Sequence, residues 1–370
     1  MSYQICTRCV MDTSDPEITF DSNGVCNHCH RFDEIAENYW FPDENGSKML
    51  AEQIKKIKAA SIGQEYDSIM GLSGGVDSSY LAVKMVEFGL RPLVVHVDGG
   101  WNSELATNNI EQLVKRLNLD LYTHVVNWRE MKDLQVAYLR SGVANQDVPQ
   151  DHAFFAELLR KGRKHRIKYV ISGSNYATES ILPSAWGYNA MDSTNLRAIH
   201  KAFGKIQLRE YPTVSFFDWY FTYPRLLGVK FFRPLNYMEY NKQAAKDLLI
   251  KDYGWKDYGG KHYESRFTKF FQGHYLIERY GYDKRRAHLA SVVVSGQMTR
   301  DEALMELEKP AYPANQLPED IEFIRKKLSL TEAEFDEIMH TELRQATDFR
   351  SNDGKRKFLQ RVRRLMKGSN

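Results

Sequence analysis

The sequence predicts an α/β fold: a doubly wound parallel sheet with a zinc-ribbon-like module in front of it and a helical region behind it. Three observations carry that expectation. All four cysteines fall within the first 29 residues, as two Cys-x-x-Cys pairs. From Tyr66 to Gly173, short apolar runs alternate with helical periodicities, the pattern of strands joined by crossover helices. Beyond residue 240 helical patterns prevail. The expected division is a ribbon module over 1–45, an α/β domain over 46–240 and a mostly helical region over 241–370.

Composition narrows the class. With 42% apolar and 27% charged residues in 370, the chain has the make-up of a soluble globular enzyme. A net charge of +3 is too small to make nucleic acid the expected main ligand. No apolar run approaches the roughly 18 residues of a membrane span. Met1-Ser2-Tyr3-Gln4 lacks the basic and apolar stretches of a signal peptide, so the expected location is the cytoplasm.

The cysteines come first in the chain. Cys6-Thr-Arg-Cys9 and Cys26-Asn-His-Cys29 are separated by sixteen residues, the spacing of a structural zinc ribbon. Each pair forms a knuckle aiming two thiolates at one point, and two knuckles close a tetrahedral shell around Zn²⁺. Asp15-Pro16 and Asn23-Gly24 are turn signals for a short hairpin between them. A reducing compartment disfavours disulfides. Four thiolates leave His28 and His30 as surface residues and leave the metal no open position, so its role is structural. No cysteine remains in 30–370 to act as a nucleophile, a persulfide carrier or a glutaminase thiol.

An acidic linker, Pro42 to Ser47, leads to Leu50, Ile54 and Ile57 at helical spacing. Tyr66–Leu72 then reads as a buried strand, followed at once by Ser73-Gly-Gly-Val-Asp-Ser78 and a helix from Ser79 to Phe88, ended by Gly89. Pro92–Asp98 is a second strand, with Leu105, Ile110, Leu113, Val114 and Leu117 marking the next helix. Leu119–Val126 is a third strand, Asp151 begins another helix, and Tyr169–Gly173 is a fourth strand. A Gly-Gly turn between strand and helix lets backbone N–H groups approach an anion, and the helix N-terminus adds positive potential. Ser73 and Ser78 can donate hydroxyls to phosphate, and Asp77 can hold Mg²⁺ against it. The loop lacks the Gly-Lys-Ser/Thr of a Walker A motif and is no Gly-x-Gly-x-x-Gly fingerprint.

Ser-Gly-Gly-x-Asp-Ser at such a turn resembles the PP-loop of the ATP pyrophosphatases, which cleave ATP to AMP and pyrophosphate while activating a carbonyl oxygen. The resemblance implies that Gly71, Leu72, Ser73, Gly74, Gly75, Asp77 and Ser78 hold phosphate, and that His96, Val97 and Asp98 receive adenine. It implies a second nucleotide motif at Gly173, Ser174 and Asn175, with Glu179 joining Asp77 on Mg²⁺. Phe232-Arg233-Pro234-Leu235 followed by Lys242 resembles the element that brings basic groups onto the phosphates. Asp77, Glu179 and Lys242 are thus the expected catalytic residues.

A four-cysteine knuckle before a PP-loop domain is similar to the N-acetyl sugar amidotransferases of surface-polysaccharide biosynthesis. The stretches that carry this likeness are Cys6–Ser14, Leu72–Ser79, Asp192–His200, Gly259–Thr268, Asp283–His288 and Ser295–Arg300. It implies structural zinc, ATP and Mg²⁺, and a nucleotide-linked or sialic-acid-like acetamido sugar converted to an acetamidino sugar. Ammonia would come from a separate glutaminase, since every cysteine is committed to the knuckles. The expected sugar-binding residues are Asn189, Asp192, Asn195, Arg197 and His200, in a loop that also holds Trp186, with Lys261, His262 and Arg266. Lys284, Arg285 and Arg286 are candidates for a diphosphate or for plain ion pairs. The same residue types also serve as helix caps and surface charges. The basic stretch 354–370 reads as a solvated helix or as a docking helix for a partner. Two rivals stand beside this reading. A tRNA-modifying thiolase calls for further cysteines and a basic face, and an interaction protein with a structural loop calls for an eroded Ser-Gly-Gly-x-Asp-Ser.

Overall fold

The computed structural model describes residues 2–260 and 263–367. The first cysteine pair lies in a turn closed by an isolated antiparallel bridge between Ile5 and Asp12. Helix α1 (Asn27–Tyr39) starts on the second pair. The hairpin expected between the pairs is reduced to that bridge and one more, Phe20 to Cys26. Aspartates take up the local N–H groups that a ladder would have used. Asp12 Oδ1 accepts from Ser14 N, Asp15 Oδ1 from Glu17 N and Asp21 Oδ1 from Val25 N, each at 3.0 Å. The stretch expected to be an acidic linker instead opens helix α2 (Glu44–Ala60). Asp43 caps it by accepting from Gly46 N at 2.8 Å, and Leu50, Ile54 and Ile57 form its buried stripe.

The α/β unit follows as β1 (Ser68–Gly71), α3 (Val76–Glu87), β2 (Pro92–Asp98), α4 (Glu104–Leu117), β3 (Leu121–Val125), α5 (Trp128–Ser141), α6 (Val148–Lys164) and β4 (Tyr169–Ile171). Short α7 (Tyr176–Glu179) and α8 (Ser193–Phe203) precede wide helical turns at Asp218–Leu226 and the last strand, β5 (Lys230–Phe232). Helix α6 begins three residues before Asp151, because Pro149 suits a first turn, where no backbone donor is needed.

All five strands are parallel, in the order β3-β2-β1-β4-β5. The chain winds from β1 towards β3 and then returns to the other side of β1. The switch point therefore lies between the carboxyl ends of β1 and β4, where such sheets bind ligands. One face packs on α5, α6 and α8 through Ile69, Val95, Leu134 and Leu159, and the other on α2, α3 and α4 through Met70, Val94, Leu81 and Ile57. Gly71 closes β1 without a side chain because the Phe154 ring of α6 occupies that space: a Cβ there would lie 2.0 Å from it. This contact seats the start of α6 over the end of β1.

The remaining chain is helical: α9 (Lys242–Tyr253), α10 (Arg266–Phe270), α11 (Leu276–Tyr280), α12 (Lys284–Val294), α13 (Arg300–Glu308), α14 (Leu317–Leu328), α15 (Glu332–His340) and α16 (Asp353–Lys367). Helix α12 clamps α7: Ile181 N donates to Ser291 Oγ at 3.0 Å, and Ser295 Oγ donates to the Ala177 carbonyl at 2.7 Å. The knuckle shares a small core with Trp186, Ala287, Ala290 and Ala303, so it is bound to the helical region rather than hanging free.

Candidate functional site

The loop after β1 is held open by its own small residues. Ser73 Oγ lies 3.2 Å from Ser78 Oγ and accepts from Gly75 N at 3.2 Å. Gly75 caps α3 with extended backbone, so the first N–H groups of that helix face the cleft side of the loop. Gly74 has φ +83°, and a Cβ there would meet the Ala106 carbonyl oxygen at 2.7 Å. Only glycine lets the loop pass this close to α4. The Gly74 carbonyl accepts from Trp255 Nε1 at 2.9 Å, which pins the loop from behind.

A cleft of about 1970 Å³ opens over the carboxyl ends of β1, β2 and β4. Gly71, Leu72, Ser73, Gly75, Asp77, Ser78, His96, Val97, Gly173, Ser174, Glu179 and Lys242 all line it. Asp77 and Glu179, the two acids expected on Mg²⁺, thus face one space from two different strand ends. The Tyr240 hydroxyl donates to Asp77 Oδ1. Burial, then Asp77 and Glu179, push the Tyr240 phenol well above its usual range, so it remains a proton donor. Gln297 ties the neighbourhood together: its Oε1 accepts from Lys242 N at 3.2 Å and its Nε2 donates to the Tyr240 carbonyl at 3.0 Å. His96 bridges the strands, donating from Nδ1 to the Leu72 carbonyl at 2.9 Å and accepting at Nε2 from Asn102 at 2.9 Å.

The other expected nucleotide residues serve the frame. Asp98 accepts from Gly100 N at 2.7 Å and from Asn102 Nδ2 at 3.2 Å. Asn175 caps α7 through Thr178 N at 2.9 Å. Arg233 precedes the short turn Pro234–Tyr237 and is not among the residues lining the cleft.

The expected sugar residues divide. Asn189 and Asn195 reach the cleft wall, although Asn195 Nδ2 also donates to the Ala346 carbonyl at 2.7 Å. Asp192 is spent on structure: it caps α8 through Thr194 N and Asn195 N, both 3.1 Å, and accepts from Tyr188 and Asn352. Arg197 donates to Thr213 Oγ1 at 3.0 Å, and His200 Nε2 meets Asp133 Oδ2 at 2.8 Å. Arg266 joins Asp320 and Glu319 and covers the Phe323 ring. Trp186 is wholly buried against Tyr282, in the knuckle core rather than at a ligand surface. Lys261 and His262 lie outside the described residues. Of the three basic residues at the start of α12, Lys284 and Arg285 border the cleft, and Arg286 turns to the knuckle, donating to the Val10 carbonyl and pairing with Asp12, both at 2.9 Å.

Sequence reading missed Tyr240, Trp255 and Tyr258, while Glu264 and Gln297 lie in the stretches Gly259–Thr268 and Ser295–Arg300 that carry the family likeness, with no role given to Gln297. Tyr258 and Glu264 stand beside Gly75, each 3.4 Å from where a Cβ would lie. These residues lie at or beyond the end of the α/β unit, and no local spacing ties them to the loop.

Cys6, Cys9, Cys26 and Cys29 are buried free thiols whose sulfurs all lie within 4.8 Å of one another, a cluster that could bind a metal ion. Three of the separations are 3.8, 3.7 and 3.8 Å. A regular tetrahedron with metal–sulfur bonds of about 2.3 Å sets its sulfurs about 3.8 Å apart, so the donor set fits Zn²⁺. Backbone N–H groups of Arg8, Cys9 and Cys26 point at Cys6 Sγ from 3.4, 3.4 and 3.2 Å, the solvation a thiolate needs when buried.

Residues 264–365 match the family described as LPS biosynthesis protein WbpG-like, C-terminal domain. An uncharacterised protein of Methanocaldococcus jannaschii is 24% identical over 318 residues, 83% of this chain and 94% of that protein. A glutamine-hydrolysing GMP synthase of Sulfurimonas denitrificans is 33% identical over 132 residues, 34% of this chain and 24% of the synthase. Among solved structures, an NH3-dependent NAD synthetase from Campylobacter jejuni is 16% identical over 42% of this chain and 72% of its own, with a TM-score of 0.29. An NMN synthetase from Francisella tularensis is 15% identical over 66% and 94%, with a TM-score of 0.30. No helix among the described residues is long and apolar enough to cross a membrane. With its parallel five-stranded sheet and its Ser73–Ser78 loop at the switch point, the chain is an α/β protein, similar over 264–365 to the WbpG-like proteins of LPS biosynthesis.

Proposed function

We propose that the chain is an ATP-dependent amidotransferase that converts the acetamido group of a nucleotide-linked or sialic-acid-like sugar into an acetamidino group. The observation that carries this reading is one cleft shared by the Ser73–Ser78 loop, Asp77, Glu179 and Lys242, and bordered by the segment that resembles a polysaccharide-biosynthesis domain. An amide is a poor electrophile with a poor leaving group. Transfer of AMP to its oxygen makes that oxygen leave readily, and ammonia then displaces AMP at carbon.

The protein's part is to neutralise charge and align reactants. The loop N–H groups and the Ser73 and Ser78 hydroxyls receive phosphate oxygens, and Lys242 adds positive charge. Asp77 and Glu179 would hold Mg²⁺, which supplies Lewis-acid neutralisation of the phosphates when bound. Tyr240 orients the Asp77 carboxylate for that task. The knuckle would hold Zn²⁺ as a structural ion. Ammonia reaches the cleft free or from a separate glutaminase, and the reaction takes place in the cytoplasm, where ATP and sugar nucleotides are.

Purified protein supplied with Mg-ATP, an acetamido sugar nucleotide and ammonium should form amidine. With glutamine as the only nitrogen source it should form none, until a glutaminase subunit is added. Glutamine hydrolysis by the chain alone, or sulfur transfer to tRNA, would count against this reading.

A further inference from the structure

The N-terminal turn of α6 carries a carboxylate that the phosphate chemistry leaves unused. Asp151 lines the same cleft as the loop. Its place relative to the loop follows from three contacts. Phe154, one helical turn further on, lies against Gly71 at the end of β1, and Gln150 lies against Gly99 at the end of β2. Asp147, one turn before, accepts from Thr268 Oγ1 at 3.0 Å. Thr268 stands one turn after Glu264, which itself flanks Gly75. Asp151 therefore sits above the ends of β1 and β2, across the cleft from the phosphate loop.

We propose that Asp151 is the proton-transfer group of this site: it takes the amide proton when the acetamido oxygen is adenylated and returns it to the same nitrogen when ammonia adds. This assignment rests on the amidotransferase reading above. In activation, the amide oxygen bonds to the α-phosphorus and the bond to pyrophosphate breaks. The N–H proton passes to Asp151, leaving a neutral carbon–nitrogen double bond. In displacement, the ammonia nitrogen bonds to that carbon as Asp151 gives its proton to the imidate nitrogen. The new ammonio group then yields one proton to Asp151, the carbon–oxygen bond breaks, and AMP departs from an amidinium product. One proton per turnover is left on Asp151 and passes to water between cycles.

The surroundings suit that role. The side chain is exposed to the cleft, whose walls are protein. Desolvation, and after it the Asp147 carboxylate, raise its carboxyl to about 7, against the opposing pull of Lys284 on α12. Tyr211, the other titratable group whose charge is felt here, is itself held protonated by burial. Thr268 and Gln272 face Asp147 as neutral donors. A carboxylate poised near neutrality is matched to a proton that must be both taken and returned.

Two measurements on the full-length protein test this. With Mg-ATP, ammonium and an acetamido sugar nucleotide, Asp151→Asn should lower amidine formation by about a hundredfold or more while binding Mg-ATP as the parent does. The acid limb of the parent's pH–rate profile should disappear with it. Asp147→Asn removes a like charge, so it should move that limb to lower pH. Turnover by Asp151→Asn within about threefold of the parent, with the limb intact, would overturn the assignment. A parent that makes no amidine would instead fail the amidotransferase reading. Independently of turnover, ¹³C NMR of labelled aspartate should show a carboxyl that titrates near 7 in the parent and is missing from Asp151→Asn. If that signal titrates at the ordinary aspartate value near 4, the assignment falls even where amidine is made.

Discussion

Arg300 Nε donates to the Cys6 carbonyl at 3.0 Å and to the Cys9 carbonyl at 3.1 Å, joining residues 294 and 291 positions apart. The first knuckle is thereby fastened to the start of α13. Gln297, three residues earlier, bonds Lys242 N and the Tyr240 carbonyl. Arg286 fastens the knuckle to α12, which also clamps α7 beneath Glu179. The knuckle and the cleft therefore share one set of supports. A metal bound at the knuckle would therefore be coupled to the cleft through these contacts.

Chelating the knuckle's metal should raise hydrogen exchange first in residues 5–29, then in α12 and α7, and should weaken nucleotide binding. Arg300→Ala should have the same order of effects at full metal content and cost about 1–3 kcal/mol, because two carbonyl oxygens lose their donor. Unchanged exchange in α7 after metal removal would show that the knuckle folds without reference to the cleft.

Tyr240→Phe keeps the ring and deletes one donor to a carboxylate. A hydrogen bond to a charged group is worth about 1.5–3 kcal/mol, so Mg-ATP turnover should fall roughly tenfold or more with little change in melting temperature. The check is steady-state kinetics over a Mg²⁺ titration. A parent-like Mg²⁺ dependence would remove Tyr240 from the positioning of Asp77.

Asp320 ties α14 to α10. Burial alone would raise its carboxyl, but Lys269, Tyr312 and Arg266 outweigh burial and hold it below the usual range. A depressed carboxyl stabilises the fold at pH values above its unfolded value near 4, and that stabilisation is lost as pH falls through the folded value. Asp320→Asn should therefore cost about 3 kcal/mol at neutral pH, and the difference from the parent should shrink below about pH 4. Urea unfolding at pH 7 and at acid pH measures it. A difference that grows on acidification would contradict the ion-pair account.

The parts of this fold that were legible in sequence are those written in local pattern. The strand, the Ser73–Ser78 loop and the helix are contiguous, and Asp77 and Glu179 converge because each follows a parallel strand at the switch point. The two cysteine pairs converge for the same kind of reason, their spacing. The residues that misled are those whose chemistry serves two ends. Asp192, His200 and Arg266 are polar groups suited to a sugar, yet they cap a helix or pair with Asp133 and Asp320, partners distant in sequence. Trp186, in the loop expected to bind sugar, is core. Tyr240 carried no signal, and Gln297 only its place in a family-like stretch, because their contacts lie in what the folded chain brings beside them.

The most direct test follows the amide oxygen. Protein given Mg-ATP, ammonium and an acetamido sugar nucleotide labelled with ¹⁸O in the acetamido group should yield one AMP, one pyrophosphate and one amidine per turnover, with the label in the phosphate of AMP by mass spectrometry. Asp77→Ala should yield none of these while staying folded. Recovery of ADP, or of AMP without the label, would contradict adenylation of the acetamido oxygen and the account built on it.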